Sequence, residues 1–429
     1  MRAALWLLAL FGIAVALALV AGNNQAVVTL FWPPHRVDMS FNLVTLLLAA
    51  LFMTLYLALR AMSAVFSLPA EARRWRAQQK ERAMYGALMD AQTHLLAGRY
   101  IRAARSAQHA LAQEKSLALL GDAARHASGH NAARASQLRA LAHLLVAESA
   151  QSLQHKTLRD QHLQLALRSV APRDAQEVRE GVQLRAVRWA LDDQDGGAAL
   201  DWLGQLPQGA ARRTLALRLK LRAARQAQQT QQALETARLL AKHRAFSHAA
   251  AQSIVRSLAL ELLNEARDPA QLKQAWHSLD ESEHAMPELV LHAASRLMAL
   301  QGDADTVRAW LLPVWDRMMQ PDSGIADRLR IKLVTVLEAG FDSLDGGWLS
   351  RIESAQLGRP RDPIVLYLAG TACLSRQLWG KAQQLLSQAA PDLQDANLKR
   401  NAWRALATLA EQREDEAAAA QAYKRAAQA

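Results

Sequence analysis

The stretch Gly370–Pro391, GTACLSRQLWGKAQQLLSQAAP, decides how this chain folds, because its small and large apolar residues recur at helical intervals. The apolar run that leads into Gly370 predicts one helix, and the run that begins at Trp379 predicts a second helix after a short polar turn. Gly370 and Ala382 lack bulky side chains where the two helices would cross, and Leu386 would fill the remaining gap. The stretch therefore predicts a closely packed helix pair.

Composition favours helices in the rest of the chain as well. Of the 429 residues, 51% are apolar, whereas there are only 19 glycines and 12 prolines. Ala, Leu, Gln and Arg are abundant, and all four are good helix formers. The single cysteine, Cys373, excludes an internal disulfide and a multi-cysteine metal site, and it fits a reducing compartment. We interpret Cys373 as a packing residue of the helix pair.

The spacing resembles the tetratricopeptide repeat, in which small residues allow two antiparallel helices to cross closely. Copies recur at a period of roughly 34 to 37 residues, which is typical of a solenoid. Looser copies lie around 186–206, 223–241 and 295–314. The residues predicted to pack within the clear copies are Tyr100, Ala103, Ala107 and Ala110, then Gly370, Trp379, Ala382, Leu386 and Ala389, and finally Trp403, Ala407, Ala419, Tyr423 and Ala426.

Two uncharged stretches near the amino terminus predict a transmembrane hairpin within residues 1–60. Residues 3–21 and 41–59 are each long enough for a helix to cross the hydrocarbon layer. The first stretch alone also fits a cleaved signal peptide, but the second follows closely and no convincing cleavage site lies between them. In the loop 22–40, the segments VVTLFW and HRVDMS flank Pro33 and Pro34 and allow a short extended hairpin.

The positive charges predict the orientation of this hairpin. Arg2 precedes the first span and six basic residues follow the second within 60–82, whereas the loop has only Arg36, which Asp38 opposes. The excess of basic residues marks the cytoplasmic side. We therefore expect a short loop outside and both termini and the repeats in the cytoplasm.

The segment 61–82 predicts a basic helix that begins near Pro69 as the chain leaves the membrane. Such a helix suits an anionic membrane surface. A solvated helix face is the alternative interpretation. The residues assigned to a membrane surface are Arg73, Arg74, Trp75, Arg76, Lys80 and Arg82.

The helical body is predicted to consist of degenerate repeats over 83–340 and of tetratricopeptide-like repeats over 341–429. The clearest breaks are GFDSLDGG at 340–347 and GRPRDP at 358–363. The net charge of +12 fits an acidic partner, anionic lipid or nucleic acid. Because no nucleic-acid-reading motif accompanies the arginines, we expect lipid and protein partners and no nucleic acid.

Motifs that would indicate an enzyme are absent from the sequence. It contains no GxGxxG after a strand, no GxxxxGK[ST], no HExxH and no GxSxG. His126 and His130 have a spacing that suits two metal ligands on one helix face, but Gly129 between them favours a turn. We therefore expect no catalysis, no metal and no bound cofactor, although a single histidine could still serve as an axial ligand of haem.

Taken end to end, the chain resembles the HemY family of proteobacterial inner-membrane proteins associated with haem biosynthesis. The matching segments are the amino-terminal hairpin, SLPAEARRWRAQQKERA after it, GRYIRAARSAQHAL and the late LWGKAQQLLSQA. The resemblance implies a role late in protohaem synthesis. The flavoenzyme that shares the name in other bacteria is a different protein, since the dinucleotide fingerprint is missing here.

These observations lead to one functional hypothesis and two alternatives. The hypothesis is an all-α, non-catalytic membrane scaffold that binds partner proteins, including late haem-biosynthesis enzymes as the resemblance implies, through its repeats. A carrier of haem or porphyrin is one alternative. A general envelope assembly scaffold is the other, because a fold does not fix a function.

Overall fold

A computed structural model describes residues 2–22, 25–119, 132–170, 176–320 and 324–429 of the protein. The two compact units of the chain are Met1–Val182 and Gln183–Ala429. Within the described residues, helices form nearly all of the regular structure. The prediction about His126 and His130 lies outside the described residues.

The first unit begins with a helix, a strand hairpin and a second, very long helix. Helix α1 spans Arg2–Gly22, strand β1 spans Val27–Trp32, strand β2 spans His35–Ser40, and helix α2 spans Phe41–Leu96. The strands pair in antiparallel register, so the short hairpin that the sequence allowed is present. Ser40 caps α2 by accepting a hydrogen bond from the backbone N–H of Leu43 at 3.3 Å.

One stretch among the described residues is long and apolar enough to cross a membrane. It is the first part of α2, Phe41–Ala64, with 24 residues and none of them buried against the protein. Helix α1 is also helical over the predicted first span. The second span therefore agrees with the sequence, whereas the two-span hairpin stays a prediction.

The boundaries predicted at 60/61 and 82/83 do not appear as breaks in the structure. Helix α2 is continuous for 56 residues, so Pro69 lies inside a helix and not at its start. The prediction of a new helix near Pro69 was wrong. An internal proline removes one backbone hydrogen bond, but the strong helix formers on both sides propagate the helix through that position.

The rest of the first unit packs helix pairs against the second half of α2. Helix α3 spans Tyr100–Ala118, α4 spans Ala132–Ser152, α5 spans Lys156–Ser169, and α6, Gln176–Asp192, contains the boundary between the units. Helix α3 contacts α2 and α4, and α4 contacts α5. Small residues line these contacts, as in the cluster of Ala91, Ala107 and Val146.

The second unit continues as further helix pairs with short connections. Its helices are α7 (Gly196–Gly204), α8 (Gln208–Ala211), α9 (Thr214–Gln226), α10 (Thr230–Lys242), α11 (His248–Glu265), α12 (Pro269–His277), α13 (Glu281–His284), α14 (Pro287–Ala299), α15 (Ala304–Met318), α16 (Asp327–Glu338), α17 (Gly346–Gly358), α18 (Pro363–Ser375), α19 (Trp379–Asp392), α20 (Ala396–Glu411) and α21 (Glu416–Gln428), with a 3-10 turn at Phe341–Ser343.

Most of these helices share one core, and α7 and α8 belong to a second, smaller cluster with Ala216 and Ala223 of α9. A continuous cluster of buried apolar side chains runs from Ala224 to Leu409 and includes Phe341, Leu344 and Trp348. The core thus crosses the segment 340–347, where the sequence suggested a domain boundary, and the division between units falls after Val182 instead. Gly340 lies in a turn, and Gly346 and Gly347 begin α17. The apolar residues between them keep the packing continuous.

Several helix pairs end their first helix with the same turn. A residue in the left-handed conformation follows the helix, as at Gln194, Gln228 and Gln377, where φ is 61°, 56° and 61°. The next N–H then bonds back to a carbonyl five residues earlier, for example from Leu378 to Cys373 at 2.9 Å. This pattern is the Schellman motif, which satisfies carbonyls that the helix end leaves without partners.

Candidate functional site

The helix crossing predicted around Gly370 is present between α18 and α19. A Cβ atom added to Gly370 would lie 2.7 Å from Leu386 Cγ and 3.3 Å from the backbone nitrogen of Leu386. Ala382, Leu386 and Ala389 are fully buried. The glycine is therefore required because a side chain at this position would occupy the space of Leu386.

The aromatic residues assigned to repeat packing are more exposed than the small ones. Trp379 and Tyr423 are 38% and 42% exposed, whereas Ala419 and Ala426 are buried. Trp403 is half-buried, and the guanidinium carbon of Arg425 lies 4.7 Å from its ring centroid. The alanines thus form the helix contacts, and the aromatic residues cover their edges.

In the first repeat, too, the alanines are buried and the aromatic residue is more exposed. Ala103, Ala107 and Ala110 are buried in α3, and Tyr100 is half-buried at its start. Ala110 packs with Met84 and Ala87 of α2. The alanines allow α2 and α3 to approach closely, as the sequence pattern predicted.

The basic residues after the apolar span of α2 are mostly exposed. Arg73, Arg74, Trp75, Arg76 and Arg82 are exposed, and Lys80 is half-buried. The buried stripe of the same helix is formed by Ala77, Met84, Ala87 and Ala91. Exposed side chains such as Arg74 and Arg76 can therefore reach an anionic surface outside the protein. Their assignment to a membrane surface stays a prediction.

A cavity of about 800 Å³ opens between α10, α11 and α14 in the second unit. Its floor, which we call the apolar floor, is formed by Phe246, Ala251, Val255 and Met286. Its edge, which we call the cationic rim, is formed by Lys242, Arg244 and Arg317, and all three are exposed. The volume lies within the range of protein ligand sites.

Two further interactions fix the walls of this cavity. Arg238 donates to both carboxylate oxygens of Glu283, at 2.9 and 2.6 Å, and its Nε lies 3.2 Å from an oxygen of Asp280. The hydrogen bond to Glu283 is the main cause that raises the pKa of Arg238. On the opposite side, Arg218 donates to the carbonyl of Ala245 at 2.8 Å and lies against the Phe246 ring.

Sequence reasoning missed this cavity. The basic run Lys242, His243 and Arg244 at the end of α10 was a local signal that could have indicated a charged edge. Arg317 is far away in the sequence, and only the packing of α15 brings it to the same edge. The predicted repeat-packing residues do not line the cavity.

Two histidines and the cysteine, whose side chains are of reactive types, take part in helix packing. Nδ1 of His143 lies 3.0 Å from Nδ1 of His162, and burial, with His162 and Arg139, lowers the pKa of His143 to about 4. Cys373 is fully buried, and burial raises the pKa of its thiol. Among the described residues, no group of three or more His, Cys, Asp or Glu side chains is arranged to hold a metal ion.

The helix pairs, their left-handed turns and their small-residue crossings define a helical-repeat protein of the tetratricopeptide-like class. Residues 27–129 match the family model described as HemY protein N-terminus. The match shows similarity to this family over that part of the chain. It covers the strand hairpin, the apolar span, the basic helix and the first repeat.

The crystal structure of the P58(IPK) TPR domain is similar at 14% identity, covering 77% of this chain and 99% of that chain, with a TM-score of 0.22. A superposition of that quality carries no weight, so the repeat class rests on the helix pairs described above. No curated protein matches the chain.

Proposed function

We propose that this protein is a non-catalytic scaffold of the bacterial inner membrane that acts in a late step of protohaem biosynthesis. The match of residues 27–129 to the HemY N-terminal family model supports the association with haem. The helical repeats support the binding of proteins, because stacked helix pairs present extended surfaces to partners. In this proposal the chain performs no chemistry of its own.

One observation carries the proposal: the apolar span and the first repeat belong to the same helix. Helix α2 runs from Phe41 to Leu96 without interruption, and its last part packs against α3. A continuous helix keeps its two ends at a fixed distance, whereas a flexible linker does not. A partner bound to the repeats is therefore held near the membrane and not merely connected to it.

The mechanism follows from this attachment. Two proteins that bind the same tethered scaffold meet at an effective concentration in the millimolar range, without any new contact between them. The exposed basic residues of α2 add attraction to anionic lipid, worth about 1 kcal/mol for each charge close to the surface. Arg73, Arg74 and Arg76 are the residues proposed for this contact.

Crosslinking in native membranes tests the proposed role. We expect late haem-biosynthesis enzymes to be enriched with the full chain after crosslinking and purification. A matched variant in which Arg73, Arg74 and Arg76 are changed to Glu keeps the repeats and should lose affinity for anionic vesicles. Absence of any haem-pathway enzyme among the crosslinked proteins would contradict the association with haem.

The proposed topology has two spans with the strand hairpin in the periplasm and the repeats in the cytoplasm. Because Cys373 is the only cysteine, a Cys373→Ala background allows single labels. We expect Asp38→Cys to react with an impermeant maleimide in intact spheroplasts. Gln421→Cys should react only after the membrane is opened, and the reverse pattern would invert the topology.

A further inference from the structure

The cavity between α10, α11 and α14 has an uncompensated charge. Its lining contains two acidic residues, Asp280 and Glu283, and both lie within 3.2 Å of Arg238. Glu283 is only 1% exposed, and its ion pair with Arg238 balances its charge inside the protein. Both acidic residues of the cavity thus contact the half-buried Arg238, and the other basic side chains of the lining have no acidic counterpart within it.

The cationic rim has no such partner. The side chains of Lys242, Arg244 and Arg317 make no hydrogen bond or ion pair with any of the residues that the structure describes. They lie around one opening in which all three are exposed. Like charges at one edge repel each other, so an anion bound between them gains favourable interactions with each.

The apolar floor adds a second requirement for the ligand. Ala251 and Val255 are buried, and Phe246 and Met286 are half-buried, so the cavity is apolar at its base and charged at its opening. Free phosphate would use only the rim. Methionine and aromatic side chains are common at surfaces that accept apolar groups of partner proteins.

We infer that this cavity binds a short acidic segment of a partner protein, with an apolar side chain on the floor and carboxylates at the rim. The inference rests on the proposed function, since it names the chemistry of the partner that the scaffold holds. Complementary charge is the feature that selects this occupant. A half-open cavity of this volume accommodates a short peptide more readily than the continuous backbone of a nucleic acid, which needs an extended groove.

Fluorescence polarisation with the full-length protein in detergent tests the inference. The probes are fluorescein-labelled Glu-Asp-Leu-Phe-Glu-Asp and the neutral peptide Gln-Asn-Leu-Phe-Gln-Asn. We expect the acidic peptide to bind at least roughly tenfold more tightly, with affinity falling as salt screens the charges. Equal binding of the two peptides, or no binding of the acidic one, would overturn the inference.

Two variants separate the rim from the floor. Lys242→Glu with Arg317→Glu should weaken the acidic peptide roughly tenfold or more, because each reversed charge turns an attraction into a repulsion. Ala285→Trp, at an exposed position of the lining, should weaken both peptides by filling the cavity. Unchanged circular dichroism and thermal unfolding of each variant establish that the effect is local.

A matched control changes the same charge elsewhere in the unit. Arg328→Glu with Arg404→Glu reverses two exposed arginines outside the cavity and should alter binding by less than about twofold. If this control weakens binding as much as the rim variant, general charge and not the cavity attracts the peptide, and the inference is wrong. Loss of binding to phosphatidylglycerol vesicles in the rim variant alone would identify a lipid site instead.

The two proposals fail in different ways. If the acidic peptide does not bind but haem-pathway enzymes are crosslinked in membranes, the scaffold holds its partners at another surface. If the peptide binds through the rim but no haem-pathway enzyme is crosslinked, the cavity is a peptide site and the association with haem is wrong.

Discussion

Two predominantly apolar helices of this protein have opposite surroundings. The first part of α2, Phe41–Ala64, is exposed along its whole length. Helix α18 is buried from Ile364 to Cys373. In both helices a threonine hydroxyl donates to the backbone carbonyl four residues earlier. Thr54 donates to the carbonyl of Ala50 at 3.0 Å, and Thr371 donates to that of Tyr367 at 3.1 Å.

Length and neighbours explain the difference. Helix α18 has 13 residues, about 20 Å of helix, and cannot cross a hydrocarbon layer of about 30 Å. It is covered instead by α16, α17, α19 and α20. The 24 residues Phe41–Ala64 of α2 are long enough to cross, and the described residues of the protein bury none of them. An apolar composition therefore suits contact with lipid in α2 and packing against other helices in α18.

The largest expected effect comes from charges placed in the exposed span. Leu51→Arg with Leu55→Arg should prevent insertion of this part of α2, since each arginine near the membrane centre costs about 2.5 to 3.5 kcal/mol. Insertion is measured by maleimide labelling of Leu48→Cys in a Cys373→Ala background. The labelling rate should rise at least roughly tenfold when the span leaves the hydrocarbon layer.

Leu96→Arg is the control for that experiment, because Leu96 is 80% exposed and lies outside the apolar span. It should leave the labelling rate unchanged. If the labelling rate of Leu48→Cys stays low in the double-arginine variant, lipid is not what protects the span. The comparison with α18 would then be wrong.

In the buried helix the largest effect should come from adding a methyl group. Gly370→Ala places a Cβ 2.7 Å from Leu386 Cγ, so it should lower the free energy of unfolding by about 1 to 3 kcal/mol. Gly380→Ala is the matched change in the neighbouring helix, where no atom lies within 4 Å of the added Cβ. That variant should be stabilised by about 0.5 to 1 kcal/mol, because alanine favours the helix.

Urea unfolding of both glycine variants checks this prediction. Equal effects of the two substitutions would show that helix propensity and not the crossing of α18 and α19 decides the stability there.

A smaller effect should come from the one carboxylate that contacts the buried helix through Tyr367. The Tyr367 hydroxyl donates to Glu338 at 2.7 Å, and burial raises the pKa of Glu338 in spite of that hydrogen bond. The folded state therefore retains the Glu338 proton to higher pH than the unfolded state. Stability should fall as pH rises from about 4.5 through the raised pKa.

Glu338→Gln should remove this pH dependence and should be more stable than the unchanged protein at neutral pH. Glu411→Gln, at an exposed position, is the control and should leave the pH profile unchanged. The profile is measured by urea unfolding over a pH series. A profile that persists in Glu338→Gln would assign the titration to another group.

The smallest expected effect concerns the turn that ends α18. Gln377 has a φ of 61°. This left-handed conformation costs little free energy for glycine and more for other residues. Gln377→Gly should therefore stabilise the protein by about 0.5 to 1 kcal/mol. Arg376 has φ of −96°, and Arg376→Gly should destabilise it instead. Thermal unfolding distinguishes the two, and a loss of stability in Gln377→Gly would contradict the role of the turn.

Local pattern in the sequence was enough for the helix pairs and for the second apolar span. Gly370, Ala382 and Ala389 recur at helical intervals, and the structure buries them at a crossing. The pattern did not predict how far Trp379 and Tyr423 are exposed, because exposure depends on which neighbouring helix covers an edge. It also placed a helix start near Pro69, where neighbouring helix formers carry α2 through.

The sequence by itself determined that the chain is helical, that small residues mark the crossings and that residues 41–59 suit a membrane. Periodicity and length specify these features because they act over a few helical turns. Only the tertiary structure decided that α18 is covered on all sides and that α2 joins the span to the first repeat without a break. It also decided that Arg317 meets Lys242 at one cavity, since long-range packing alone brings together residues so distant in the chain.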